Sequence, residues 1–221
     1  MLKRIDSLKH VGLRKRMTEQ IKSLGYNNLR LLSAFINVPR HLFMDATLEE
    51  MAYQDKALPI GQDQTISAPS MVALQTSLLD PQPSEKILEI GTGSGYQAAI
   101  LIDMGVKLYS IERQEKLHIK TKALLKSLNF EAELSFGDGF EGIEAEAPFD
   151  KIIITAGAPE IPKKLFAQLK VGGIMILPLQ TDNKLRIAKV KKESATTGPV
   201  ELFTNCAFVP MLRGVVENNK V

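Results

Sequence analysis

The chain has 221 residues, 44% of them hydrophobic and 24% charged, and a formal net charge of +3 at pH 7. That length suits one domain with a sizeable core, and so small a positive excess gives no case for a nucleic-acid partner, which calls for a clustered basic face. A single cysteine, Cys206, excludes an internal disulfide and a multi-cysteine zinc site. The stretch Met1–Asp6 lacks the apolar run of a signal peptide, and no segment is long enough to span a bilayer, so a cytoplasmic protein without a membrane partner is expected.

Residues 1–50 read as a helical extension. Ile5, Leu8, Leu13, Met17, Ile21 and Leu24 recur at three- and four-residue steps, and Gly25 closes that helix. Asn27 or Asn28 caps a second helix carrying Leu31, Leu32, Phe35 and Ile36, which Val38-Pro39 ends. The cluster Arg14-Lys15-Arg16 reads as a solvated helix face.

Residues 51–82 change character. From Tyr53 to Pro69 the chain is polar, with two prolines, a glycine and no sustained period, which predicts an ordered loop with one short hairpin. Ser67-Ala68-Pro69 then looks like a helix start before Met71, Val72, Leu74, Leu78 and Leu79; on pattern alone Ser67 is a plain N-cap.

Residues 83–180 alternate strand and helix. Strands are predicted at 86–90, 107–111, 131–136, 151–155 and 173–178. Helices are predicted after Gly95 (ending at Gly105), over 114–129 with Leu117, Thr121, Leu124 and Leu128 on one face, and over 161–169. Alternation of this kind defines an α/β fold: a doubly wound, mostly parallel Rossmann-like sheet with helices on both faces. Residues 181–221 then alternate in the strand sense around Thr196-Thr197-Gly198-Pro199, which predicts a C-terminal antiparallel hairpin completing the sheet. Lys189, Lys191 and Lys192 read as a solvated or edge strand.

The chemistry is carried by Lys86 to Gln97, a buried strand running into glycines at 91, 93 and 95 and then a helix. Such a corner lets a nucleotide touch backbone and helix N–H groups. Counted from Gly91, the sixth position is Tyr96 where a dinucleotide fingerprint needs glycine, and no Gly-Lys-Ser/Thr follows, so a pyrophosphate is disfavoured. Glu112, at the end of the second strand, is placed to accept both ribose hydroxyls. Asp138, in Gly137-Asp138-Gly139, is placed to accept the adenine amine, and Glu89 to face a cationic ligand group. Adenine, ribose and a positive tail without a pyrophosphate binder describe S-adenosyl-L-methionine.

With those residues in view the chain resembles the protein-L-isoaspartate O-methyltransferases, a family of class I S-adenosylmethionine-dependent methyltransferases. The resemblance runs from about Val38 to Gly214. Its most specific parts are Gln64-Thr65-Ile66-Ser67 and Phe208-Val209-Pro210, beside Ala52-Tyr53-Gln54-Asp55, Leu58-Pro59-Ile60-Gly61, Ser110-Ile111-Glu112-Arg113 and Thr155-Ala156-Gly157-Ala158-Pro159. It implies methyl transfer to the free α-carboxylate of L-isoaspartyl residues in damaged proteins, giving an ester that collapses through a succinimide to aspartate, with S-adenosyl-L-homocysteine as the product. It implies Ser67 as the active-site residue on a loop that closes over the ligands. Glu89, Gly91, Thr92, Gly93, Ser94, Glu112, Arg113, Asp138 and Gly139 are its implied cofactor contacts. Thr65, Ile66, Ser67, Ala158, Pro159, Val209 and Pro210 are its implied substrate contacts. The chain departs from the family pattern at Asp63, Ser70 and Gln180, which bears on the shape of the peptide cleft and the lid.

A carboxylate is ionised at neutral pH and needs no general base, which agrees with His10, His41 and His118 all lying outside the motifs. No metal is expected, and a monomer is the expected state. An RNA methyltransferase is the weaker enzyme alternative, because the Asn/Asp-Pro-Pro-aromatic run of amino-methylating nucleic-acid enzymes is replaced here by Thr155-Ala156-Gly157-Ala158-Pro159. A non-catalytic module that only binds S-adenosylmethionine is the third reading; the intact acids and glycines speak against it.

Overall fold

The structure, a computed structural model, describes residues 6–196 and 198–218. The expected Ile5 of the first helix and Thr197 of the last turn lie outside them. Helices α1 (Leu8–Ser23) and α2 (Leu29–Asn37) lead into two 3-10 turns, Arg40–Phe43 and Ala46–Met51. Asn28 caps α2 by accepting from the Arg30 and Leu31 amides, and Val38 leaves the helix in an extended conformation before Pro39.

The predicted hairpin is β1 (Leu58–Gly61) against β2 (Gln64–Ile66), an isolated antiparallel pair. Its turn holds Gln62 and Asp63 at φ of 55° and 54°, the left-handed region, which is why glycine would suit the Asp63 position. Helix α3 (Pro69–Leu79) follows, and then β3 (Lys86–Ile90), α4 (Tyr96–Asp103), β4 (Lys107–Glu112), α5 (Glu115–Ser127), β5 (Glu133–Phe136), β6 (Phe149–Ile154), α6 (Lys163–Gln168), β7 (Leu169–Thr181), β8 (Lys184–Lys191) and β9 (Val200–Cys206).

The main sheet has seven strands in the order β5-β4-β3-β6-β7-β8-β9. The first five run parallel and the last two are added antiparallel, as the alternation and the terminal hairpin predicted. β3 lies between β4 and β6, so the chain order turns back beside it. In open α/β sheets ligands bind outside the strand C-termini at such a switch point. Alternate β3 side chains feed opposite cores: Ile87 packs with α1 to α5, while Leu88 and Ile90 pack with Leu165 of α6, Phe140 and Phe149. Among the described residues no helix is long and apolar enough to cross a membrane.

Two charged groups predicted to face solvent are buried. Leu8 and Leu24 are exposed, and α1 instead turns His10, Arg14, Met17, Thr18 and Ile21 inward. Burial of Arg14 is tolerable because Asp6 takes both its terminal nitrogens, at 2.6 and 2.8 Å, and the Ile36 carbonyl takes Nε at 2.7 Å. That hydrogen bond from Arg14 holds the Asp6 carboxyl below its usual range. His10 and His41 stack beside this pair with centroids 3.8 Å apart and planes 19° apart, and the ligand atoms of Asp6, His10 and His41 fall within 4.8 Å of one another. Asp6 is already forked onto Arg14, His10 Nε2 lies 2.9 Å from Glu49 Oε1 and His41 Nδ1 lies 2.7 Å from the Tyr53 hydroxyl, so the group is a hydrogen-bonded packing network.

Lys192 is the second case. β8 is an interior strand, and Lys192 just beyond it is 5% exposed, donating to the carbonyls of Phe166 (2.7 Å), Ala167 (3.0 Å) and Leu169 (2.7 Å) at the end of α6. A cation belongs at a helix C-terminus, where the last carbonyls carry partial negative charge; the Phe166 carbonyl also accepts the Leu169 N–H. Lys192→Met is expected to lower stability by about 2–3 kcal/mol, read in a thermal melt as a midpoint roughly 5–10 °C lower; an unchanged midpoint would count against the cap.

Candidate active site

β3 delivers the chain at Ile90 into a glycine loop that is fastened from both sides. Thr155, just past β6, donates its hydroxyl to the Ile90 and Gly91 carbonyls at 3.0 and 2.8 Å, and Thr121 of α5 donates to the Gly93 carbonyl at 2.6 Å. Gly91 sits at φ 94°, and a Cβ there would come 2.6 Å from Thr155 Oγ1. Side chains are therefore excluded by the loop's own fastening as well as by the space a ligand needs. The sequence pointed to neither threonine for this role; a hydroxyl bonded to a distant carbonyl leaves no local pattern.

Glu112, at the end of β4, is 4% exposed and borders the cleft. Its Oε2 accepts the Gly93 N–H and its Oε1 the Gln114 N–H, both at 2.8 Å. A carboxylate offers about four lone-pair sites, so capacity remains beyond these two bonds for a ligand hydroxyl. Burial raises its pKa, against the pull of those backbone N–H groups.

Glu89 differs from its expected place. It is fully buried beneath the loop and is not among the residues that line the cleft. Ser110 donates to its Oε2 at 2.6 Å, and the Ser110 hydroxyl lies 2.6 Å from that of Thr92, which supports the loop from below. Burial, with Glu112 nearby, pushes its pKa up to about 8 despite the Ser110 bond, so at neutral pH it is mostly the uncharged acid. A raised folded pKa contributes stability that is fully present below the unfolded value near 4.5 and is lost as pH rises through about 8. Relative to Glu89→Gln, which cannot ionise, the wild type should therefore lose thermal stability from pH 5 to 9; parallel melting curves would contradict this.

Asp138 stands at the loop after β5 with Oδ1 on the Phe140 N–H at 2.8 Å and Oδ2 on the Gly214 N–H at 2.6 Å. It lies beside the cleft; its neighbour Gly139 borders it, and a Cβ at Gly139 would overlap Ile90 Cγ2. Arg113 borders the cleft as well and donates to the Gly214 carbonyl at 3.1 Å.

The roof is the β1–β2 hairpin. Ile60 Cδ1 is 3.6 Å from where a Cβ at Gly93 would stand, so the hairpin lies over the glycine loop. Thr65, Ile66 and Ser67 border the same cleft as Gly91, Thr92, Gly93 and Ser94, a cavity of about 240 Å³. Ser67 is not the N-cap: α3 starts at Pro69 after Ala68, and the Ser70 N–H at its first turn goes to Asp55 Oδ1 at 2.8 Å. The Ser67 hydroxyl has no hydrogen bond among the described residues and borders the cleft.

The far wall is Val209, Pro210, Met211 and Leu212, held where the Gly157 N–H bonds the Val209 carbonyl and the Met211 N–H bonds the Gly157 carbonyl, both 2.8 Å. Ala158 and Pro159 are not among the residues that line this cavity. Ala158 is buried and stitched to Pro178 and Gln180, Pro159 is exposed, and Thr155 and Ala156 line the cavity. Cys206 packs half-buried against the core with its thiol pushed up to about 11 by desolvation, which leaves it inert as a nucleophile.

A glycine loop at the switch point, a ribose-spaced carboxylate on the next strand and a slot with no pyrophosphate binder define a class I S-adenosylmethionine-dependent methyltransferase. The residues fit that group by the free lone-pair capacity of Glu112 and by Gly91, Gly93 and Gly139, which bring bare backbone to the cleft.

Residues 13–216 match the profile of the family described as protein-L-isoaspartate(D-aspartate) O-methyltransferase. Protein-L-isoaspartate O-methyltransferases of Christiangramia forsetii and Flavobacterium psychrophilum are 49% and 47% identical over 208 residues, 94% of this chain and 97% of each relative. A solved protein-L-isoaspartate O-methyltransferase superposes with a TM-score of 0.81 at 28% identity, over 89% of this chain and 65% of that one. A Plasmodium falciparum structure, described as a protein-L-isoaspartate O-methyltransferase in complex with S-adenosyl-L-homocysteine, shares the fold, with a TM-score of 0.80 at 23% identity over 90% of this chain and 98% of that one. The chain belongs to the protein-L-isoaspartate(D-aspartate) O-methyltransferase family, and its cofactor is S-adenosyl-L-methionine.

Proposed function

We propose that this cleft methylates the free α-carboxylate of L-isoaspartyl residues in damaged proteins and peptides, with Ser67 holding the acceptor. The observation that carries the reading is the uncommitted Ser67 hydroxyl on a hairpin lying over Gly93, in one cleft with Glu112. When bound, S-adenosylmethionine supplies an electrophilic methyl group on a sulfonium. The remaining work belongs to the chain.

The acceptor is already ionised and needs no base. Ser67 donates a hydrogen bond to one carboxylate oxygen, which leaves the other free to attack, while Thr65 and Ile66 with Val209 and Pro210 flank it. Glu112 receives the ribose hydroxyls. Thr155 and Thr121 keep the loop in the shape that brings the two ligands together. Holding two reactants in attack geometry is worth roughly 7–11 kcal/mol in favourable cases, and the hairpin roof keeps bulk water from competing. The same proposal treats the chain as one domain, a cytoplasmic monomer whose partners are isoaspartyl proteins and not nucleic acid or membranes; the small net charge and lone cysteine support it.

The test is methyl incorporation into an isoaspartyl peptide and its normal aspartyl twin. Transfer to the first alone supports the proposal. Transfer to RNA and to neither peptide, or S-adenosyl-L-homocysteine binding without transfer to any acceptor, would overturn it.

A further inference from the structure

Among the described residues that line the cleft, Asp63, Glu112 and Arg113 carry charged side chains. Two of the three are committed. Glu112 accepts the Gly93 and Gln114 N–H groups from a buried place, and Arg113 donates to the carbonyls of Gly214 (3.1 Å) and Arg213 (3.4 Å). Asp63 is exposed in the turn of the β1–β2 hairpin, and no hydrogen bond or ion pair reaches its carboxylate among the described residues. At its φ of 54° glycine is the least strained choice and aspartate is tolerated, so the backbone by itself gives no reason for a charge here.

Asp63 precedes Ser67 by four residues, a span of at most about 14 Å. A polypeptide held with its isoaspartyl carboxylate at Ser67 therefore has the long side chains one or two positions away within reach of the hairpin turn. We propose that Asp63 is a specificity-determining residue that selects isoaspartyl sites flanked by lysine or arginine over sites flanked by glutamate or aspartate. This rests on the acceptor reading given above. The selection acts on the flanking charge and not on the reacting carboxylate, which is the same in every substrate. A charge on the rim of a cleft, where low-dielectric walls focus its field, acts more strongly than one on an open surface. The formal net charge of +3 would by itself draw acidic sequences, so a preference for basic ones has to come from a local acid.

The test is kcat/KM on three isoaspartyl peptides that differ only in the residues on either side of the isoaspartate: lysine, alanine or glutamate. Each protein is scored by its lysine-to-glutamate ratio, so that a general loss of turnover cancels. At low ionic strength the wild-type ratio should be roughly tenfold in favour of lysine, with the alanine peptide between. Asp63→Asn and Asp63→Gly, which both suit the turn, should cut that ratio at least fivefold, and Asp63→Lys should bring it below one. Salt at about 0.5 M should shrink the wild-type ratio at least threefold, because exposed charges are screened. Affinity of Asp63→Asn for S-adenosyl-L-homocysteine should stay within twofold of the wild type; a fivefold loss would move the carboxylate to the cofactor and overturn the proposal. A wild-type ratio within twofold of one, or a ratio left unchanged by both Asp63→Asn and Asp63→Gly, would also overturn it. A wild type that methylates none of the three peptides is a distinct result, which overturns the acceptor reading and this proposal with it.

Discussion

Ser67→Ala is expected to lower kcat/KM for an isoaspartyl peptide by roughly 10- to 100-fold while leaving S-adenosyl-L-homocysteine affinity within twofold. A hydrogen bond to a charged group contributes about 1.5–3 kcal/mol, and each 1.36 kcal/mol of barrier is a factor of ten. The hydroxyl has no structural duty to lose: it caps nothing, since α3 begins at Pro69 and the Ser70 amide is held by Asp55. The substitution should therefore leave the thermal midpoint in place, which makes a loss of turnover interpretable. Unchanged turnover on the isoaspartyl peptide would remove Ser67 from the reaction, and a matching loss of cofactor affinity would move it to the other ligand.

The second large effect is expected at Glu112. Glu112→Ala should weaken S-adenosyl-L-homocysteine binding by about 100-fold, since two ribose hydrogen bonds to a charged acceptor together exceed the 1.4 kcal/mol that each tenfold requires. It should also destabilise the protein without ligand, because the Gly93 and Gln114 amides lose their acceptor in a buried place. Glu112→Gln keeps one acceptor oxygen and should fall between the two. Calorimetric titration and a thermal melt on the same samples read both effects; wild-type affinity in Glu112→Ala would rule out the ribose assignment.

How much of this was legible in the sequence depended on how far each residue's partner lies along the chain. The strand ending at Ile90, the glycines after it and the helix from Tyr96 were readable because period, turn chemistry and helix start are local. Glu112 and Asp138 were readable as strand-end acids for the same reason. Ser67 was not: on pattern alone it was an N-cap, and only the resemblance carried by Gln64-Thr65-Ile66-Ser67 made it an active-site residue. Thr121, counted as a member of an apolar stripe, proved to fasten Gly93 from 28 positions away. Arg14 and Lys192 were read as solvated because nothing nearby shows that Asp6 or the end of α6 will be folded against them.

The sequence by itself determined the parallel sheet, its antiparallel tail, the glycine corner and the kind of nucleotide it suits. Those follow from periodicities of two and 3.6 residues and from backbone sterics, which act within a few positions. Only the tertiary structure decided that Glu89 lies under the loop as a mostly neutral acid, and that Ala156 borders the cavity while Ala158 is buried beside it. It alone brought Gly214 to Asp138 across 76 positions and to Arg113 across 101. The reason is physical: desolvation and long-range hydrogen bonding depend on what the folded chain packs around a group, and no local pattern records that.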